Sequence, residues 1–277
     1  MTLVINDHSK TLLDAAMRHQ AHALLLTGPV GVGLATIAQH AAKATNAHII
    51  TVLPEKDEKV NLEKGTITVQ SIRRLYDLTR TTEPAGRIII IDYAERMAVP
   101  AQNAFLKLLE EPTVGTRFML LSHDPSVLLP TIISRSQQVD IRPVTAQQSD
   151  ELLAREGVTD PVKRSQLLFI AAGLPAELLR LIRDDAYFAA RAELVKDARV
   201  FISGSLYERL LIAKKYKDSR PQALILLEDA MKQLRKAIAT NGDAAPMRLL
   251  RRFEQLHKRI SEQGNVRLQL SAAVVVY

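Results

Sequence analysis

The sequence predicts an α/β fold, with a parallel sheet carrying helices on both faces through about residue 143 and helices alone after it. Three observations carry that reading. Short apolar runs alternate with helical segments from Leu3 to Arg142: Ala23–Thr27, His48–Leu53, Arg87–Asp92, Arg117–Ser122 and Ser136–Ile141. Ile88 to Ile91 are all β-branched, without the alternation of a half-exposed strand, as expected when both faces are covered. At Pro143-Val144-Thr145 the alternation ends, and everything after it reads helical, with capping signals at the helix ends.

In order, the strand Ala23–Thr27 runs into Gly28-Pro-Val-Gly-Val-Gly33 and a helix near Leu34 to Ala44. That is the position of a phosphate-cradling loop, in which backbone N–H groups and a helix N-terminus hold anions. The complete pattern is G-x-x-x-x-G-K-[ST]. Gly28 and Gly33 match it, but Leu34 replaces the lysine and Ala35 the hydroxyl residue. An ordinary glycine-rich turn is the alternative. Gly28, Gly31 and Gly33 are therefore candidates for a weak or empty phosphate loop. Pro54 to Gly65 reads as a polar loop capping the second strand.

The strand at Ile88–Ile91 ends in Asp92, at the carboxyl end where open α/β sheets place their chemistry. Asp92 is the candidate magnesium carboxylate of a degenerate site, since Tyr93 stands where a carboxylate base is wanted. A helix from Pro100 to about Leu109 follows and stops before Pro112. Glu110 and Glu111 at its end suit an interface or intradomain ion pair better than acid/base work, because the helix dipole disfavours carboxylates there. Lys107 faces either DNA or a neighbouring subunit. His123, after the next strand, either senses a terminal phosphate or caps the following turn. Arg135 lies between a short helix, Pro130–Ile133, and the last strand.

Thr145 and Gln148 form a capping-box pattern opening helices near 145–156, 160–172 and 175–184, with Gly157 and Gly173 as stops. A further helical unit from about Ala186 is broken at Gly204, Pro221 and Asn241-Gly-Asp243.

At 277 residues the chain has room for two or three compact units. It has no cysteine, which excludes disulfides and thiolate metal sites, and no metal site is expected. No apolar run spans a membrane and no charged-then-apolar leader is read, so a cytoplasmic protein is expected. With no Trp and few aromatics, base stacking is not the main activity. The net charge of +7 sits in the last third: residues 197–277 hold 15 Lys/Arg against 8 Asp/Glu. Arg248, Arg251, Arg252, Lys258 and Arg259 could meet phosphates, or form the solvated face of an amphipathic helix.

The stretch Gln102-Asn-Ala-Phe-Leu-Lys-Leu-Leu-Glu-Glu-Pro112 resembles the A-N-A-L-L-K-x-L-E-E-P helix of bacterial DNA polymerase III clamp-loader subunits, in the AAA+ family. Leu129-Pro-Thr-Ile-Ile-Ser-Arg-Ser136 resembles that family's L-x-P-T-I-x-S-R-C, and Gly173-Leu-Pro175 its G-x-P. The likeness covers roughly residues 10–185. It implies an AAA+ domain with a degenerate nucleotide site over 1–143, a helical lid over 144–185 and a helical collar for oligomerisation over 186–277. It also implies a subunit that does not hydrolyse ATP but supplies Arg135 as a trans arginine finger to an adjacent motor subunit. Ala176 occupies the place of a second phosphate-sensing arginine. Motor subunits of gamma/tau type and a delta subunit are the implied partners, with the sliding clamp and primer–template DNA reached through the complex. No cofactor is required, ATP binding is not expected to be strong, and the four-cysteine zinc site common in the family is absent. Two alternatives stand beside this: an active AAA+ ATPase or motor-type clamp-loader subunit, and a stand-alone basic DNA-binding protein.

Overall fold

The structure, a computed structural model, describes residues 3–62, 64–80, 83–241 and 244–275. Helix α1 (Asp7–Arg18) leads into β1 (Ala23–Thr27), α2 (Leu34–Lys43) and β2 (His48–Val52). The expected polar loop after β2 instead contains a small hairpin, β3 (Glu55–Lys56) and β4 (Lys59–Val60), turned by Asp57 and Glu58 at φ 52° and 62°. Two adjacent positive φ values suit a tight hairpin turn. Then come α3 (Val69–Thr79), β5 (Arg87–Ile91), α4 (Val99–Glu110), β6 (Thr116–Ser122), α5 (Pro130–Ser134) and β7 (Gln137–Asp140).

The five main strands form one parallel sheet in the order β2-β5-β6-β1-β7. Alternation sorts its side chains into two cores. Ile89, Ile91, Leu25, Phe118 and Leu120 pack with Ile72, Leu75, Phe105 and Leu108 of α3 and α4. Ile88, Ile90, Leu24, Leu26, Met119 and Leu121 pack with Leu13, Ile37 and Ala38 of α1 and α2. This double burial is why Ile88–Ile91 lacks a polar alternation.

Three helices follow: α6 (Ala146–Arg155), α7 (Pro161–Ala171) and α8 (Pro175–Arg183). The Thr145–Gln148 capping box forms, with both reciprocal bonds present. Gly157 and Gly173 take φ values of 75° and 81° just past α6 and α7, which a side chain would resist. The chain divides into two compact units, residues 1–180 and 181–277.

The second unit contains α9 (Asp185–Ser203), α10 (Leu206–Tyr216), α11 (Arg220–Asn241), α12 (Ala244–Ser261) and α13 (Val266–Val275). Its core joins Leu194, Phe201, Leu226, Leu227, Phe253, Leu256 and Leu270. Gly204 ends α9, as expected. Pro221 sits in the first turn of α11 rather than breaking a helix, where its missing N–H is harmless. Of the Asn241-Gly-Asp243 break, residues 242 and 243 lie outside the described residues. One break was not anticipated: Gln263 at φ 74° and Gly264 separate α12 from α13, and the Asn265 side chain accepts the Leu268 N–H to cap the new helix.

Candidate functional site

Strands β5, β6 and β1 lie side by side, and their carboxyl ends bring together Asp92, His123 and the glycine loop. Gly28 leaves β1 so tightly that a Cβ there would come within 2.6 Å of the Ile141 carbonyl oxygen. Gly31 and Gly33 hold φ values of 90° and 95°, and Gly33 is the N-cap of α2. The three candidate glycines therefore shape one strand-to-helix turn. Leu34, at the lysine position, is only 2% exposed and packs into the core between sheet and α2.

The loop is also covered. Gly31 O accepts hydrogen bonds from Ala176 N at 2.9 Å and Glu177 N at 3.1 Å, in the first turn of α8. Ala176 lies against Gly33, at 3.5 Å from where a Cβ would stand. Helix α8 thus spends free N-terminal N–H groups on the loop's own carbonyl rather than offering them to an anion.

Asp92 is partly buried at the end of β5, and its Oδ1 accepts the Tyr93 N–H at 3.0 Å. Burial pushes the Asp92 carboxyl up, against the opposing pull of that hydrogen bond and of His123. Tyr93 itself adopts left-handed backbone, φ 54° and ψ 52°, uncommon for a large side chain. Its ring meets the His123 ring edge-on at 5.7 Å and lies under the Arg96 guanidinium at 5.2 Å. His123 Nδ1 pairs with Gly28 O at 2.8 Å, while its backbone N–H points to Glu95 Oε2 at 3.4 Å. Of the two readings of His123, capping is performed by Asp124, whose carboxylate accepts the Ser126 N–H. His123 instead closes on the loop. Ser122 Oγ, beneath it, is buried without a hydrogen-bond partner among the described residues.

Ionised Asp92 is a burden on the fold, because its folded pKa lies above the ordinary carboxylate value. Asp92→Asn keeps the acceptor for Tyr93 N–H and removes the charge. The variant is expected to melt higher than the parent at pH 7 to 8. The gain should vanish below about pH 4, where the carboxyl is protonated both folded and unfolded. Thermal melts across that range check it; an unchanged or lower melting temperature at pH 7 contradicts it.

Arg135 belongs to another edge of the domain. It follows α5 as its C-cap, is 38% exposed in its side chain, and its Nη2 lies 2.8 Å from Glu110 Oε1. Glu110 is thus in an intradomain ion pair, one of the two options its place at a helix end suggested. Lys107 and Glu111 are exposed on the same stretch. Gln102, which has no place among the sequence-predicted site residues, holds this edge in place. Gln102 is 1% exposed; its Nε2 donates to Met97 O at 3.0 Å and Val127 O at 3.3 Å, and its Oε1 accepts Leu129 N–H at 2.7 Å. It ties α4 both to the turn after Asp92 and to the turn before α5. The available signal was a glutamine on the stripe that also carries Phe105 and Leu109, both core residues.

Among the described residues no cluster of three or more His, Cys, Asp or Glu could hold a metal ion. No described helix is long and apolar enough to cross a membrane.

Residues 48–145 match the family model described as DNA polymerase III, delta subunit. The chain is 34% identical over 188 residues to DNA polymerase III subunit delta' of Pseudomonas aeruginosa, covering 58% of this chain and 56% of that protein. It is 27% identical over 271 residues to subunit tau of Bacillus subtilis, covering 86% of this chain and 46% of that protein. The chain thus spans about half the length of these relatives. A DNA polymerase III gamma subunit-related protein from Thermotoga maritima shares the fold at TM-score 0.53 and 17% identity, over 96% of this chain and 98% of that one. The parallel sheet, the helical C-terminal portion and the Q-N-A-F-L-K-L-L-E-E-P helix inside the matched segment agree with these matches: over its matched portions the chain is similar to delta-prime and tau subunits of DNA polymerase III.

Proposed function

We propose that this chain is a clamp-loader subunit that does not hydrolyse ATP itself and supplies Arg135 to the ATP site of a neighbouring subunit. The observation that carries the reading is the contrast between Leu34 and Arg135. The residue that should reach the terminal phosphates is a core leucine, whereas a half-exposed arginine stands at the domain's rim.

Magnesium–ATP hydrolysis needs a cation on the β/γ-phosphates, a hydroxyl on the metal and a group that orients water. Leu34, Ala35 and Tyr93 supply none of these, and α8 is bonded to the loop. The residues present therefore do not fit that cofactor in a hydrolytic role. Arginine can act from outside: a guanidinium aimed at a neighbour's γ-phosphoryl group stabilises the charge on its oxygens as the bond to the leaving group loosens.

In this reading residues 1–143 form the degenerate AAA+ domain, 144–185 its lid and 186–277 the collar that joins the subunits. Partners are motor subunits of gamma/tau type and a delta subunit, with the clamp and primed DNA engaged through the complex in the cytoplasm. Adding the chain to candidate motor subunits, with clamp and primed DNA, should raise their ATPase rate. A stable complex whose rate is unchanged argues against the proposal.

A further inference from the structure

Glu110 is the last residue of α4, where the helix's own carbonyl dipoles disfavour a carboxylate. An outside cation offsets that penalty, and Arg135 Nη2 is 2.8 Å away. The guanidinium has a second tether, from Nη1 to the Thr131 carbonyl oxygen at 3.2 Å. Helix α4 cannot drift relative to the α5 turn, because Gln102 bonds both Val127 O and Leu129 N. The carboxylate and the arginine are therefore held on one rigid edge. Among the described residues two of the five guanidinium N–H groups are taken, which leaves others to donate outward.

Resting on the reading above, we infer that Glu110 is a positioning residue for Arg135. It fixes the fork of the guanidinium before a neighbour arrives, so that docking does not have to freeze a long, freely rotating side chain. A half-exposed pair contributes little through charge alone, since water screens it. Its consequence is orientation. Because Glu110 acts on the group that meets the transition state, its loss lowers turnover and leaves ATP binding by the neighbour untouched.

The test is a reconstituted complex carrying Glu110→Ala, Glu110→Gln or Glu110→Asp, each alone and together with Arg135→Ala. Glu110→Ala is expected to lower kcat about threefold to fivefold with ATP KM unchanged. Glu110→Gln, which keeps an acceptor, falls between, and Glu110→Asp recovers part of the rate. On the Arg135→Ala background none of the three has a further effect. An unchanged or raised kcat for Glu110→Ala overturns the inference, as does an equal loss with Arg135 already removed. If Arg135→Ala leaves the rate unchanged, the trans-finger reading falls and this inference with it. If Arg135→Ala is damaging while Glu110→Ala is silent, only this inference falls.

Discussion

Arg135→Ala is expected to remove the stimulation proposed for neighbouring motor subunits while the complex still assembles. A trans arginine is worth on the order of 10³-fold or more in turnover at the site it enters. If sites fire independently, the complex loses the share of its rate carried by the neighbouring site. If they fire in sequence, the whole rate collapses. The substitution should leave the fold intact, because the side chain is 38% exposed and its ion pair with Glu110 is half in water. Gel filtration of the complex and its steady-state phosphate release check the two halves of this expectation. Loss of assembly would make Arg135 an interface residue instead, and an unchanged rate would remove the finger.

The second large effect lies in the helical unit. Asp229 of α11 is 1% exposed and holds Arg191 of α9 through two bonds, Nη1 to Oδ2 at 2.9 Å and Nη2 to Oδ1 at 3.3 Å. Lys232 approaches the same carboxylate at 3.5 Å. Removing one partner of such a pair leaves buried charge poorly compensated, at about 3 to 5 kcal/mol. Asp229→Ala should therefore lower the melting temperature of this unit by on the order of 15 °C. The paired change Arg191→Met with Asp229→Leu should restore most of it, since a well-packed apolar pair often equals a buried ion pair. Denaturant midpoints of the two variants decide it. If both are equally destabilised, packing rather than charge is what the site provides.

Much of the fold was legible because local and tertiary demands agree. Ile88–Ile91 must be covered on both faces, and its composition says so. Thr145 with Gln148, and Gly157, mark one helix's two ends in the sequence itself. The Asn265 cap after Gly264 carries the same kind of local signal. Leu34 and Ala35 can be read in the sequence against a phosphate loop, and Tyr93 against the carboxylate wanted after Asp92. What replaces the missing groups was not legible there. The contact of Gly31 O with α8 joins residues some 145 positions apart, and no local propensity encodes it. The pairing of Glu110 with Arg135 follows from how α4 and α5 are set together, and although the apolar stripe marks Gln102 as inward-facing, its partners Val127 and Leu129 come from a turn that tertiary packing brings to it. Sequence thus exposes absent chemistry readily, whereas the contacts that hold a retained arginine in place are tertiary.

Phosphate release by the isolated chain tests the central claim most directly. With magnesium, ATP, primed DNA and Arg135 intact, the chain alone is expected to release no phosphate above the protein-free rate. Sustained turnover that follows the chain through purification would contradict the account, because Leu34, Ala35 and Tyr93 would then have to belong to a working site.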